Sequence, residues 1–386
     1  MRLIKKLPNP FLFSNGKIVS TLSDWEIRRS EICQMMLDLQ YGTMPPAPET
    51  VRVETIDSQQ IQNQNQFDQL RFIFIPDNKS PEINFDLDVK FYRPSSTVIE
   101  KRKKTLNNFG QNGLPVLIYV GDLSDMDRIS ILLDNGYCVL SYHNNQLEPM
   151  EMGNPIVGPA RDAYQRLSAE YTWGSISVWA WGAIRLLEYA LTLPEVDSKR
   201  IMISGHSRNG KTALLAGSTD DRFALVNPAG SGCAGAGSYL ALDEGCEDLA
   251  ALTSRDRWWA WTQAEFEKWT GQEENLPFDQ HFLMGLVAPR PLLRTEGIED
   301  EWANPKGTAV AFLATQPIYS FLKCPSKNGI YVRPGGHYQS QEDFEALRVF
   351  ADWHLFGLFP TDDFPHTNFH QLPFNTDELG KCFDWD

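Results

Sequence analysis

From about residue 115 onward, short apolar runs alternate with segments of helical spacing. The runs are Pro115–Val120, Tyr137–Tyr142, Arg200–Ser204, Phe223–Asn227, Arg290–Arg294 and Gly329–Arg333. Strands covered on both faces need near-continuous apolar side chains, so the pattern predicts a buried, mostly parallel sheet. Between the runs, Trp173–Leu193 carries Trp179, Leu186, Leu187 and Ala190 at helical spacing and predicts a long helix; 341–355 predicts another after the last run. The first third reads differently. Val51–Ile56, Leu70–Ile75 and Ile83–Tyr92, the last alternating with period two, predict an antiparallel edge. Ser23 with Glu26 three residues on has capping-box spacing and predicts a helix running to Leu37, whereas the polar stretch Gln59–Gln69 predicts a loop. The expected architecture is doubly wound α/β, a three-layer αβα sandwich formed as one domain over 1–386, with 1–110 supplying the N-terminal helix and edge strands. Residues 232–288 interrupt the alternation. Their Trp258, Trp259, Trp261 and Trp269 predict a helical, aromatic-rich insertion packed over one end of the sheet.

Charge narrows the partners. With 35 basic against 50 acidic residues, the formal charge of −15 repels phosphate backbones and anionic membrane surfaces, so neither nucleic acid nor membrane is an expected partner. The oligomeric state is not encoded in any pattern found. Six cysteines show neither a CxxC pair nor disulfide-scaffold density, and Cys138, inside an apolar run, reads as a buried thiol. The start Met1-Arg-Leu-Ile-Lys-Lys-Leu-Pro8 has basic residues without an apolar core of signal length. As written this suggests a cytoplasmic chain; a secreted or periplasmic mature form would look the same.

The segment Ile201-Met-Ile-Ser-Gly205-His-Ser207-Arg-Asn-Gly210-Lys211 is a strand entering a tight turn and then a helix. That is the context of a nucleophile elbow, where a serine sits in a strained conformation and its neighbours must be small. Gly205 and Gly210 supply the room, although the second glycine falls one residue later than in G-x-S-x-G, and a plain glycine-serine helix start would share these features. A serine hydroxyl needs a base within hydrogen-bonding reach. His337 follows the last strand in Val332-Arg-Pro-Gly-Gly336-His337, where two glycines permit a sharp turn. His143, His354, His366 and His370 lack that context, and His206 reads as a packed residue of the elbow whose side chain points away from Ser207. No histidine or carboxylate cluster has metal-ligand spacing; Phe278-Asp-Gln-His281 comes nearest and reads as structural. No metal or cofactor is expected.

Around these two residues the chain resembles the glucuronoyl esterases, carbohydrate esterase family 15, within the α/β-hydrolase superfamily. Gly205-His-Ser-Arg-Asn-Gly-Lys211 matches the family's G-x-S-R-x-G-K elbow, displaced glycine included. The likeness extends in order from Leu7-Pro-Asn-Pro-Phe11 and Tyr41-Gly-Thr-Met-Pro-Pro46 through Trp179-Ala-Trp-Gly182 to Leu276-Pro-Phe-Asp-Gln-His281 and Glu301-Trp302. By this resemblance Arg208 contributes to an oxyanion hole, while Lys211 and Trp302 face a uronic-acid ring. Three departures follow. Fungal members carry the triad acid in an E-S-G segment, but Ala229-Gly230-Ser231-Gly232 holds no carboxylate. The acid is expected after the next strand, in Glu296-Gly297-Ile-Glu-Asp300-Glu-Trp302, at Asp300 with Glu299 second; three exposed loop carboxylates are the plainer alternative. Glu247 stands where the family has a sugar-binding glutamine, and Arg255 where it has a sugar-binding glutamate.

The expected activity is hydrolysis of a carbohydrate ester through Ser207, His337 and Asp300, the ester being of the 4-O-methylglucuronoyl type on a small-molecule or polysaccharide-derived substrate. An esterase or lactonase for another acyl group keeps the same triad. A catalytically silent carbohydrate-binding homologue would explain the missing carboxylate near Gly230.

Overall fold

In the computed structural model, which describes residues 1–106, 108–153, 157–168, 170–360 and 368–385, a nine-stranded sheet organises the chain. Its strands are β1 (Thr50–Gln60), β2 (Gln66–Ile75), β3 (Phe85–Arg93), β4 (Leu114–Val120), β5 (Cys138–Tyr142), β6 (Val196–His206), β7 (Leu225–Ala229), β8 (Leu292–Gly297) and β9 (Asn328–Arg333). The spatial order is β9-β8-β7-β6-β4-β5-β3-β2-β1. β4 to β9 run parallel to one another, and β1 to β3 form the antiparallel edge, β3 pairing antiparallel with β5. Every residue of β4, β5, β7 and β8 is buried, which is why apolar runs in the sequence overlap these strands, although β8 also buries Arg294, Thr295 and Glu296. Crossovers over both faces make the α/β-hydrolase arrangement.

Helices α1 (Leu22–Met36), α2 (Ser175–Ala190), α3 (Arg208–Thr219), α4 (Pro305–Phe321) and α5 (Gln341–Phe356) are the long ones that flank the sheet. α2 is buried on nearly every side, with Trp179 and Trp181 in the same apolar cluster as Trp25 of α1 and Ile203 of β6. Helix α3 follows β6 directly and packs on α2 and β7, so the β6–α3 corner is fixed from three sides.

Three expectations change. The cap of α1 is Thr21 with Asp24, not Ser23 with Glu26. Asp24 also accepts from Lys17 at 2.7 Å and from Ser20, and these contacts select the earlier of two equally spaced boxes. The polar stretch is mostly strand: β1 and β2 pair in register from Thr50↔Ile75 to Gln60↔Gln66. Ladder bonds need no apolar side chains, and Ser58 anchors the hairpin by donating to Asp68 at 2.6 Å. The insertion is helical only in short pieces, such as Leu249–Thr253, Trp259–Trp261 and Gln280–Gly285, joined by irregular chain. Buried Phe266, Phe278 and Phe282 hold it to the main core. All six cysteines are free, with Cys138 buried, and His366 lies outside the described residues.

Candidate active site

β6 ends at His206, and Ser207 takes φ +58° and ψ −125° before α3 begins at Arg208. A serine holds this conformation only where its surroundings over-determine it. Here the Ser207 N–H donates to Ala229 at 2.9 Å, and the Ser207 carbonyl accepts from Gly210 N–H at 2.9 Å. A Cβ at Gly205 would lie 2.4 Å from the Asn209 carbonyl oxygen, and one at Gly210 2.8 Å from that of Ala229. The displaced glycine is thereby explained: Gly210 is the residue pressed against the neighbouring strand, while the Asn209 side chain packs beside Gly121.

His337 lies in the turn after β9, where Gly335 adopts φ +100°. Its Nε2 is 2.8 Å from Ser207 Oγ, and its Nδ1 is 2.6 Å from Asp300 Oδ2. The loop bearing Asp300 is stitched to the His337 turn by Ile298 N–H to Arg333 at 2.8 Å and Glu299 N–H to Gly335 at 3.1 Å. The Asp300 side chain is 2% exposed, while that of His337 is 37% exposed and faces the cleft. Glu299 contributes backbone here, and its side chain is exposed. The carboxylates of this segment are therefore not alike. Glu296 at the end of β8 is buried with neither oxygen hydrogen-bonded among the described residues, and burial together with the nearby Asp300 pushes its pKa well above the usual range.

His206 is packed, but against the triad: its ring centroid lies 4.6 Å from that of His337. Burial, and then His337 beside it, lowers its pKa to about 3, so it is neutral, and its ring packs tilted by 47° beside that of His337. A Cβ at Gly230 would sit 3.2 Å from His206 Nε2 and 3.5 Å from Asp300 Oδ2. The place beside the imidazole is thus filled by Asp300 and His206, which accounts for the absence of a carboxylate in 229–232.

The cleft before Ser207 encloses about 150 Å³ and is bordered by Arg208, Lys211, Glu247, Trp258, Trp261 and Trp302, among others. Arg208 Nε is buried without a partner among the described residues, and burial lowers its pKa. A half-buried guanidinium whose Nε has no partner among the described residues is poised for an incoming negative charge. Lys211 is buried too, its ammonium 2.9 Å from Glu247 Oε2, bonded to the Cys233 carbonyl and 5.7 Å from the Trp261 ring centre. Glu247 Oε1 is left without a partner among the described residues. Trp302, 36% exposed, stands at the rim, and its carbonyl accepts the Glu247 N–H at 3.0 Å. Arg255 is not brought in. It lies exposed in an ion pair with Glu267 at 2.6 Å, over the Trp259 ring. The cleft is bordered instead by the stacked Trp258 and Trp261, whose centroids are 5.0 Å apart. Those tryptophans were visible as a cluster, but nothing in an aperiodic insertion says which of them face the cleft. Phe278–His281 is internal scaffolding: Asp279 accepts from Tyr239 N–H at 2.9 Å, and His281 Nε2 lies 2.9 Å from the Pro8 carbonyl. Among the described residues no group of three His, Cys, Asp or Glu is placed to hold a metal.

Residues 94–323 match the family described as "Glucuronyl esterase, fungi". The chain is similar to the 4-O-methyl-glucuronoyl methylesterase of Phanerochaete carnosa, 30% identical over 362 residues that cover 91% of this chain and 81% of that one. Among solved structures it resembles a carbohydrate esterase family 15 glucuronoyl esterase from Caldicellulosiruptor kristjansonii, with TM-score 0.79, 28% identity and coverage of 97% of this chain and 96% of that one. A glucuronoyl esterase variant from Sporotrichum thermophile, solved in complex with methyl 4-O-methyl-β-D-glucopyranuronate, shares the fold at TM-score 0.73 and 22% identity, covering 99% and 95%.

Proposed function

We propose a mechanism from one premise: this chain belongs to the glucuronoyl esterase family, carbohydrate esterase family 15, and is a carboxylic ester hydrolase. Its ester is a 4-O-methylglucuronoyl ester of an alcohol. Ser207 Oγ attacks the ester carbonyl while His337 Nε2 takes its proton. Asp300 accepts from Nδ1–H, fixing the tautomer and stabilising the imidazolium that forms. The carbonyl oxygen, now an oxyanion, faces Arg208 and the amide groups that open α3, where the helix dipole favours negative charge. Collapse breaks the ester C–O bond; His337 gives its proton to the departing alcohol and leaves the uronoyl group on Ser207. Water, deprotonated by the same imidazole, then releases the uronate. Lys211 and Glu247 Oε1 offer a donor and an acceptor to the sugar hydroxyls, and Trp302 covers the ring.

The observation that carries this reading is the unbroken line from Ser207 Oγ to His337 at 2.8 Å and from His337 to Asp300 at 2.6 Å. Turnover of benzyl glucuronate, measured beside acetyl and feruloyl esters, tests it. Wild type should prefer the glucuronate ester and be labelled by a fluorophosphonate, and Ser207→Ala should lose both with its fold intact. A Ser207→Ala variant near wild-type activity refutes the mechanism, and a preference for acetyl or feruloyl esters refutes the substrate.

A further inference from the structure

The face of the sheet beneath α5 carries a polar row on an apolar bed. Leu117, Met202 and Leu225 lie side by side on β4, β6 and β7 and pack with Phe344 and Leu347 of α5. Two residues further along the same strands, Tyr119 lies beside Ser204, and Ser204 beside Asn227. Gln339, from the loop between β9 and α5, completes the row, and all four side chains are buried. They form one directed chain. Tyr119 Oη donates to Gln339 Oε1 at 2.9 Å, Gln339 Nε2 to Ser204 Oγ at 3.4 Å, Ser204 Oγ to Asn227 Oδ1 at 2.6 Å, and Asn227 Nδ2 to the Leu293 carbonyl of β8 at 2.8 Å. Burial pushes the Tyr119 pKa up to about 12, so the hydroxyl keeps the proton it donates.

Polar groups cost free energy in an apolar layer, and apolar side chains fill the level below, so stability alone does not call for this row. The triad supplies a reason for it. Ser204 precedes Ser207 by three residues on β6, Gln339 follows His337 by two, and Leu293 lies on the strand that leads to Asp300. The backbone bonds of the His337 turn, from Ile298 to Arg333 and from Glu299 to Gly335, run to the Asp300 loop and not to β6. Arg128 also bonds the Gln339 carbonyl, at 3.4 Å, but it belongs to the helix Met126–Leu133. The Gln339 amide thus ties the loop that bears the base to the strand that leads to the nucleophile, and Tyr119 holds that amide in place.

We propose that Gln339 is a positioning residue of the triad, which sets the spacing of His337 from Ser207 through the buried chain Tyr119–Gln339–Ser204–Asn227. It does not border the cleft and acts through His337. The inference rests on the Ser207–His337–Asp300 reading above, and its test does not require that the ester be a glucuronate.

Two readouts decide: kcat and KM on benzyl glucuronate, and the rate of labelling by a fluorophosphonate, both expressed per serine labelled at completion, so that unfolded enzyme does not count. Gln339→Leu fills the space without the amide. It should lower kcat and the labelling rate together by about thirtyfold and leave KM within about twofold, since misplacing a reacting group by about 1 Å costs up to about a hundredfold. Tyr119→Phe removes one hydroxyl and should cost about threefold alone. Added to Gln339→Leu it should cost nothing further, because members of one network do not act additively. A lowered Tm with kcat and labelling rate within about twofold of wild type would make Gln339 a structural residue and overturn the proposal; so would a loss in KM alone, or additive losses in the double variant. If Gln339→Leu does not fold, Ser204→Ala removes the same tie from the β6 side and is judged by the same outcomes. Should wild type label but turn over no glucuronate ester, the substrate reading has failed and the labelling rates still judge Gln339. A wild type that does not label refutes the triad and this inference with it.

Discussion

Asp300→Asn exchanges one oxygen for nitrogen in a side chain that is 2% exposed, so the packing is unchanged and the chemistry is isolated. The orientation of the amide follows from the structure. Asp300 Oδ1 accepts the Ala303 N–H at 3.2 Å, which keeps the asparagine oxygen on that side and turns its NH2 toward His337 Nδ1. Nδ1 must then accept, and the proton moves to Nε2, which faces Ser207 and can no longer take the serine proton. A triad forced into the wrong tautomer loses about 10⁴ in kcat, or about 5 kcal/mol of transition-state stabilisation. The assay is kcat on benzyl glucuronate, with circular dichroism to verify the fold. Glu299→Gln, whose side chain is exposed, should stay within about twofold of wild type, as surface substitutions do. An Asp300→Asn enzyme that keeps a tenth of its activity, or a crippled Glu299→Gln, refutes the assignment.

Lys211→Met alone strands Glu247 as a buried, unpaired carboxylate and should remove roughly 3–5 kcal/mol of stability. Combined with Glu247→Leu it should recover most of its Tm, while KM stays raised for glucuronate esters and near wild type for acetyl esters; a double variant normal on both has no sugar contact at this pair. Three histidines set the acid limit of stability. Burial lowers His206 and His281 to about 3 and His354 to about 4, whereas in the unfolded chain each titrates near 6.5. Below that value the unfolded state binds more protons, so stability should fall as pH drops from about 6.5 toward 4, and His354→Asn should flatten the slope. A Tm constant from pH 7 to 4.5 contradicts this.

How far the sequence spoke depended on what held each element. β4, β5 and β7 were legible because burial on both faces demands apolar runs. The β1–β2 hairpin was not, since its polar side chains say nothing of the backbone ladder beneath them. The sequence marked Ser23 with Glu26 as the cap of α1, whereas the observed box is Thr21 with Asp24, whose carboxylate also accepts from Lys17 and Ser20. At the site, Ser207 and His337 were marked by local turn chemistry, and Asp300 by its distance from a strand end. Arg255 was drawn toward the cleft by alignment through an insertion that has no period, and the fold instead places it against Glu267. The contacts that bring Gly230, His206 and Asp300 together join the carboxyl ends of three strands, which no local pattern encodes.

Electrostatics link the site to the whole molecule. Hydrolysis turns a neutral ester into a uronate inside a protein of net charge −15. Lys211 is already neutralised by Glu247, so the sugar hydroxyls meet a pair and not a free cation. Capture therefore relies on hydrogen bonds and shape, while the surrounding field favours departure of the charged product. Because the arriving ester carries no charge, kcat/KM for methyl glucuronate should change less than about twofold between roughly 20 and 500 mM NaCl, a range over which the Debye length shrinks severalfold. A steep fall with salt would mean that Arg208 draws in an anion, and the substrate would then have to be negatively charged before cleavage.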